Sequence, residues 1–133
     1  GRPFVDLDDA FRLRCGLSAQ GYLRAHGEDR FRTIETRVAG EYGARSGLVV
    51  ACGGGIVTRK ENWPLLHQNG TIVLLRRPLD QLSLAGRPIS QERGLESLAS
   101  ERGPLYESWA DLAIDCTGHP MTDAHLVCSL LGL

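Results

Sequence analysis

The sequence has 133 residues, a length that predicts a single domain over residues 1–133 with a continuous core. Apolar residues make up 42% of the chain and charged residues 23%, no apolar run approaches the roughly 20 residues that span a bilayer, and the N-terminal segment lacks the character of a signal peptide. The formal charge of −1 argues against a protein that coats nucleic acid, so we expect a cytoplasmic protein with neither a nucleic-acid nor a membrane partner.

Short apolar segments alternate with helical patterns along the chain. In chain order, the sequence predicts a strand at 3–8, helices at 18–27 and 28–45, a strand at 47–52, a helix at 58–70, a strand at 71–75, a loop at 84–91, a helix at 91–110, a strand at 111–115 and a helix at 122–133. Ser18 is the expected cap of the first helix. The second helix has an apolar face, made of Phe31, Ile34, Val38 and Tyr42.

Strands that are apolar throughout and alternate with helices are typical of a parallel sheet covered on both faces. We therefore predict an α/β fold of three layers. In such sheets ligands bind at the carboxyl ends of the strands. Asp6 and Asp8 end the first predicted strand and residues 53–55 follow the second, so we expect both groups to face one crevice.

Cysteine and histidine spacings predict neither a zinc site nor a disulfide framework. The four cysteines contain no C-x-x-C pair, and the four histidines contain no H-E-x-x-H motif. Fourteen of the fifteen cationic residues are arginine, and Lys60 is the only lysine. Arginine binds carboxylate and phosphate through two parallel hydrogen bonds, so this bias is compatible with anionic ligands, although a codon preference for arginine explains it equally well.

Three consecutive glycines, residues 53–55, follow the second predicted strand. A dinucleotide fingerprint that starts at Gly53 needs glycine at position 58, which is Thr58, and a P-loop needs a Gly-Lys pair, which occurs nowhere in the chain. Two interpretations remain open. Either a ligand accepts hydrogen bonds from the N–H groups of the bare backbone, or the glycines form a tight strand-to-helix turn with positive φ.

Five segments together resemble the shikimate kinase family over nearly the whole chain. They are FVDLDD at the end of the first strand, GEDRFRTIE (27–35), VVACGGG (49–55), GRPIS (86–90) and ERGPLY (101–106), in the order found in that family. The resemblance implies a P-loop kinase-like fold and ATP-dependent phosphorylation of the 3-hydroxyl of shikimate, in the chorismate pathway to the aromatic amino acids. It also implies ATP and Mg²⁺ as cofactors.

The same resemblance implies catalytic, metal and nucleotide contacts. Asp6 matches an acid near the magnesium ion. Asp8 matches the acid that binds the shikimate hydroxyls and helps to deprotonate the attacking one, a task that suits a carboxylate. Arg87 matches the lid arginine, a catalytic cation that stabilises charge on the transferred phosphoryl group and contacts the nucleotide.

The resemblance further implies a substrate-binding set, which consists of Asp8, Arg32, Glu35, Gly53, Gly54, Gly55 and Arg102. Arg32 and Arg102 match the arginines that bind the substrate carboxylate. Glu35 matches the acid that orients Arg32. Residues three apart occupy neighbouring positions on one helix face, so Glu35 is able to fix the guanidinium before the substrate arrives.

The main departure from the family lies at the start of the sequence. Shikimate kinases begin with an apolar strand, the P-loop and a helix, and this sequence starts after that region. Without the phosphate cradle, we expect these 133 residues to be a truncated domain that is inactive alone and lacks the central first strand of the sheet. We expect two exposed apolar sheet edges, and with them self-association or a fusion partner enzyme of the same pathway. The alternative is a non-catalytic module, derived from a kinase, that binds a shikimate-like hydroxy acid or regulates a partner.

Overall fold

The computed structural model describes residues 2–77 and 94–133, apart from the side chains of residues 95 and 96. The chain divides into two compact units. The described part of the first unit is residues 2–70, and that of the second is residues 71–77 and 94–133. Arg87, the predicted loop that contains it and the first residues of the following helix lie outside the described residues. A single domain over the whole chain stays a prediction.

The first strand is shorter than predicted, because a helix follows it at once. Strand β1 comprises Phe4–Asp6, and helix α1, which was not predicted, comprises Leu7–Cys15. The Asp6 carboxylate accepts a hydrogen bond of 2.8 Å from the Asp8 backbone N–H and so caps the helix. Asp8 therefore lies in the first turn of α1, and not in a strand as predicted.

The next two predicted helices are present. Helix α2 comprises Ala19–His26, and α3 comprises Glu28–Gly43. Ser18 caps α2 as expected, since its Oγ accepts a hydrogen bond of 3.1 Å from the Gly21 N–H. Both ends of α2 were therefore predictable from the sequence.

Aromatic rings join these three helices in the core of the first unit. The ring of Phe11 on α1 lies 5.0 Å from that of Phe31 on α3 and 5.3 Å from that of Tyr22 on α2. Of the predicted apolar face of α3, Phe31 and Val38 are buried, while the other two residues are only partly buried. The buried face of α3 also includes two charged residues, Arg32 and Glu35, which are described with the candidate site.

The segment after the second strand differs most from its prediction. Strand β2 comprises Val49–Ala51, a 3₁₀ turn comprises Gly54–Thr58, and helix α4 comprises Asn62–His67. The sequence predicted one helix at 58–70. The helix begins two residues before Pro64, which places the proline in the first turn, where the N–H that it lacks has no partner within the helix.

The described part of the second unit contains two strands and two helices. Strands β3 and β4 are parallel, and the four elements are β3 (Val73–Arg76), α5 (Leu95–Trp109), β4 (Leu112–Asp115) and α6 (Pro120–Leu131). The predicted strands and helices of this region are confirmed to within a few residues. Arg76 binds Glu107 of α5 through two hydrogen bonds of 2.7 and 2.9 Å.

The fold is of the predicted α/β class, with parallel strands that alternate with helices. Within the described ranges the strands form two parallel pairs, β1 with β2 and β3 with β4, which agrees with the prediction of an incomplete sheet. Among the described helices, none is both long and apolar enough to cross a membrane.

Candidate functional site

The end of β1 and the glycines after β2 lie side by side. The two strands are parallel, and Asp6 is the register partner of Ala51. A Cβ atom on Gly53 would lie 3.8 Å from Oδ1 of Asp8. The aspartates and the glycines at the carboxyl ends of these strands therefore lie next to each other in the first unit, as the sequence predicted.

The Asp8 carboxyl group has a raised pKa. Burial disfavours its charged form most, the carboxylates of Asp6 and Asp9 add repulsion, and the Arg32 guanidinium acts in the opposite direction. A carboxylate with a raised pKa is a stronger base than an ordinary aspartate. The position thus suits a group that accepts a proton or a hydrogen bond from a ligand hydroxyl.

Arg32 and Glu35 form a buried ion pair on α3. Nη1 of Arg32 donates a hydrogen bond of 2.9 Å to Oε1 of Glu35, and both side chains are at most 9% exposed. Glu28 lies one turn earlier, with Oε1 3.5 Å from Nε of Arg32. The predicted partnership of Arg32 with Glu35 is thus present in the structure, although its role in binding stays a prediction.

The backbone of Gly55 lies directly against the Arg32 guanidinium. A Cβ atom on Gly55 would overlap Cζ and both terminal nitrogens of Arg32, so only glycine permits this approach. Gly53 has φ −71°, and none of residues 53–55 has positive φ. The interpretation of the glycines as a positive-φ turn is therefore wrong, because contact with Arg32 is what excludes a side chain at Gly55.

Cys52 lies near Asp6, Asp8 and Glu35, and the sequence did not single it out. It directly precedes the glycines, and part of the residue is exposed to solvent. Desolvation of its thiol, followed by the negative charges of Glu35, Asp8 and Asp6, raises the pKa of Cys52 to about 12. The thiol is therefore neutral near pH 7. Its position between a strand and a glycine run was the available signal.

The second predicted carboxylate-binding arginine belongs to the second unit. Arg102 lies on α5 and is buried, and its Nε and Nη2 atoms have no hydrogen-bond partner within the described part of the chain. Burying a guanidinium without acceptors is costly. The chemistry of Arg102 therefore fits an anionic ligand.

The carboxylates at the start of α1 fit a magnesium ion. Asp6 and Asp8 supply hard oxygen atoms, and a cation would relieve the repulsion that raises the Asp8 pKa. In residues 2–77 and 94–133 no group of three or more His, Cys, Asp or Glu side chains is placed to hold a metal ion. An ion bound at Asp6 would take its remaining ligands from phosphate oxygens and water, as Mg²⁺ commonly does.

In the first unit, the groups at the carboxyl ends of two parallel strands of an α/β protein are of the types that suit a small hydroxy acid. A guanidinium held by a carboxylate is suited to an anionic head group, bare backbone permits close contact, and a carboxylate with a raised pKa is suited to a hydroxyl. The family model for shikimate kinase matches residues 1–129, and the chain belongs to the shikimate kinase family.

Curated relatives agree with this assignment. The chain is 36% identical over 131 residues to the shikimate kinase of Bordetella avium, an alignment that covers 92% of this chain and 63% of that protein. It is 39% identical over 127 residues to that of Halorhodospira halophila, with 89% and 72% covered. It is 40% identical over 134 residues to that of Ralstonia nicotianae, with 94% and 70% covered. The chain thus spans about two thirds of the length of these relatives.

Solved structures agree on the fold. The structure of shikimate kinase from Acinetobacter baumannii in complex with shikimate superposes with a TM-score of 0.88 at 30% identity, covering 99% of this chain and 80% of that one. Shikimate kinase from Bacteroides thetaiotaomicron superposes with a TM-score of 0.83 at 21% identity, covering 99% and 85%. The predicted P-loop kinase-like α/β fold is thereby confirmed.

Proposed function

We propose that the chain is the acceptor-binding part of a shikimate kinase, which transfers the γ-phosphoryl group of ATP to the 3-hydroxyl of shikimate in the pathway to chorismate and the aromatic amino acids. The observation that carries the proposal is the Arg32–Glu35 pair, buried against bare backbone at Gly55 and close to Asp8. A related structure, described as a complex with shikimate, supports the choice of ligand.

In this proposal Arg32 binds the carboxylate of shikimate. Glu35 accepts a hydrogen bond of 2.9 Å from Nη1 of the Arg32 guanidinium. This bond fixes the plane of the guanidinium and therefore the direction in which its remaining N–H groups donate to a ligand. Arg102 supplies a second cation, and the two of its nitrogens that lack a partner among the described residues support that role. Residues 53–55 contribute backbone atoms that no side chain covers.

Asp8 accepts a hydrogen bond from the reacting hydroxyl and helps to remove its proton. Its raised pKa supports this role, because the carboxylate then has a greater tendency to take the proton. Asp6 would hold Mg²⁺ beside it. When bound, the ion neutralises charge on the transferred phosphoryl group.

We assign no nucleotide contact within the described residues. Lys60 is the only lysine of the 133 residues, and the sequence contains no P-loop motif. Arg87, the proposed lid cation, lies outside the described residues. Phosphoryl transfer depends on positioning and on charge stabilisation by such a loop. We therefore propose that this 133-residue polypeptide alone does not turn over, and that a P-loop has to be supplied with it.

Exposed apolar side chains on the strands offer a docking surface. A segment that completes the sheet, a second copy of the chain or a fused enzyme of the same pathway would bind there. Phe4 and Val49 in the first unit and Leu75 in the second are each at least half exposed, which supports a partner for these strands.

The second candidate function is a non-catalytic module that binds shikimate or a similar hydroxy acid. The observation that supports it is the buried Arg32–Glu35 pair, which serves binding of a carboxylate whether or not phosphoryl transfer follows. The two candidates share a ligand and differ only in turnover.

Titration calorimetry of the purified chain with shikimate tests the proposal. We expect measurable binding without nucleotide, lost in Arg32→Ala and retained in Arg37→Ala, an exposed arginine of the same helix that serves as the control. Failure of the unsubstituted chain to bind would refute the acceptor site. An assay of ADP release then separates the candidates: turnover after a family P-loop segment is supplied supports the kinase, and binding without any turnover supports the module.

A further inference from the structure

Arg59 ties the turn after the glycines to the first turns of α3. Its Nη2 atom donates to the Asp29 carboxylate at 2.8 Å and to the Asp29 carbonyl oxygen at 3.1 Å. Its Nη1 atom donates to Oγ1 of Thr33 at 3.1 Å. One guanidinium thus binds three acceptors on α3, although Arg59 itself lies between the 3₁₀ turn and α4.

The turn that Arg59 follows is also fixed from within. Thr58 Oγ1 donates to the Gly55 carbonyl oxygen at 2.7 Å, and Nδ2 of the fully buried Asn62 donates to the Ile56 carbonyl oxygen at 2.9 Å. These bonds make Gly54–Thr58 a rigid piece. The position of this turn relative to α3 is then set by the contacts between the turn and the helix. The hydrogen bonds that the Arg59 guanidinium donates to α3 are strengthened by its charge.

The acceptors of Arg59 flank the proposed ligand arginine in the sequence. Asp29 and Thr33 lie three residues before and one residue after Arg32 on the same helix. The turn held by Arg59 contains Gly55, whose backbone lies against the Arg32 guanidinium. A shift of the turn away from α3 would therefore open space beside that guanidinium and release it from its buried position.

We propose that Arg59 is a positioning residue, which holds the backbone of Gly55 against Arg32 and so keeps the guanidinium in place for a carboxylate ligand. Arg59 contacts α3 and has no assigned contact with the ligand. The effect on affinity rests on the proposed function, whereas the effect on the turn does not. Lysine at this position retains the charge but lacks the planar guanidinium, whose two terminal nitrogens donate to Asp29 and Thr33 at the same time.

Two measurements on the full 133-residue chain test this inference, using Arg59→Ala, Arg59→Lys and, as a control, Arg14→Ala. The control removes another arginine that bridges two helices, since Nη1 of Arg14 lies 2.7 Å from Oε2 of Glu41. The first measurement is amide hydrogen exchange of Gly54–Thr58. The Ile56 N–H is a reporter for this turn, because it donates a hydrogen bond of 3.2 Å to the Gly53 carbonyl oxygen. The second is calorimetric titration with shikimate, at a temperature where circular dichroism shows every variant folded.

We expect Arg59→Ala to speed exchange in the turn and to weaken shikimate binding by roughly tenfold or more, because a displaced binding group loses its alignment. Arg59→Lys should lie between Arg59→Ala and the unsubstituted chain, and Arg14→Ala should match the unsubstituted chain in both measurements. An affinity unchanged within twofold in Arg59→Ala, while the unsubstituted chain binds, overturns the inference and leaves the proposed function standing. If the unsubstituted chain does not bind, the proposed function fails, and unaltered exchange in Arg59→Ala overturns the positioning role independently.

Discussion

At Gly55 the lack of a side chain decides where Arg32 lies. The guanidinium occupies the space that a Cβ atom would need, and Glu35 holds it there. The sequence offered three equivalent glycines, and only the structure distinguishes them. Gly53 has room for a Cβ atom at ordinary contact distance from Asp8, while Gly55 does not.

Gly55→Ala and its matched control Gly53→Ala test this difference. We expect Gly55→Ala to lower the free energy of unfolding by about 1–3 kcal/mol, as overpacked sites do, and to abolish shikimate binding because Arg32 is displaced. Gly53→Ala has an ordinary negative φ of −71° and should change stability little. Urea denaturation and calorimetry measure both quantities. Equal effects of the two substitutions would contradict this account of Gly55.

Asp8 is expected to oppose folding when it is charged. Its pKa is raised in the folded chain, so the folded state binds the proton more tightly than the unfolded state, and stability falls as the pH rises through that pKa. Asp8→Asn should therefore raise the melting temperature at pH 7, and the difference should shrink as the pH falls below the ordinary value of 3.8.

Thermal unfolding of Asp8→Asn at several pH values, beside Asp9→Asn, measures this effect. Both residues lie in the first turn of α1, so loss of charge at a helix start affects both variants alike. The prediction fails if Asp8→Asn melts below the unsubstituted chain at pH 7, or if the two variants show the same pH dependence.

Helix boundaries were predictable where a local signal was strong. Ser18 and Gly27 bracket α2 in the sequence and in the structure, because a hydroxyl cap and a glycine act within a few residues of the helix. Helix α1 was missed, since its cap Asp6 also ends a strand and its acidic first turn was interpreted as strand-end carboxylates. Nothing local distinguishes these two uses of an aspartate.

The cap of α2 gives a quantitative test at this scale. Ser18→Ala removes the acceptor of the Gly21 N–H and should cost about 1 kcal/mol of unfolding free energy, with no loss of shikimate affinity. Ser46→Ala, at an exposed serine between α3 and β2, is the control and should be neutral. Urea denaturation compares the two. A Ser18→Ala variant as stable as the control would show that the cap contributes nothing.

The burial of the Arg32–Glu35 pair on α3 was not predictable from the spacing of apolar residues along the helix. An apolar face at helical spacing predicted the burial of Phe31 and Val38, but Arg32 and Glu35 are buried on the same helix. Arg32 and Glu35 are buried as an ion pair, and the bare backbone of Gly55, from another part of the chain, leaves room for the guanidinium. The spacing of three residues permitted the pair and the family resemblance indicated it, whereas the contact with Gly55 joins distant residues and no local pattern predicts it.

At the scale of the whole chain, the class of fold and the family were accessible from the sequence. Apolar strands that alternate with helices predicted parallel pairing, and the ordered motifs indicated the family that residues 1–129 match. The contacts of Arg59 were not accessible, because they join residues that are 26 and 30 positions apart. The roles of Arg87 and Arg102 remain predictions.

We propose that Arg32 and the glycines of the first unit form a binding site for shikimate. Titration of the ¹⁵N-labelled chain with shikimate, followed by NMR, tests it most directly. We expect saturable shifts at the amides of residues 53–55 and at the Nε–H of Arg32, with the Arg37 side chain unaffected. Shifts confined to other residues, or none at shikimate concentrations that saturate family enzymes, would contradict it.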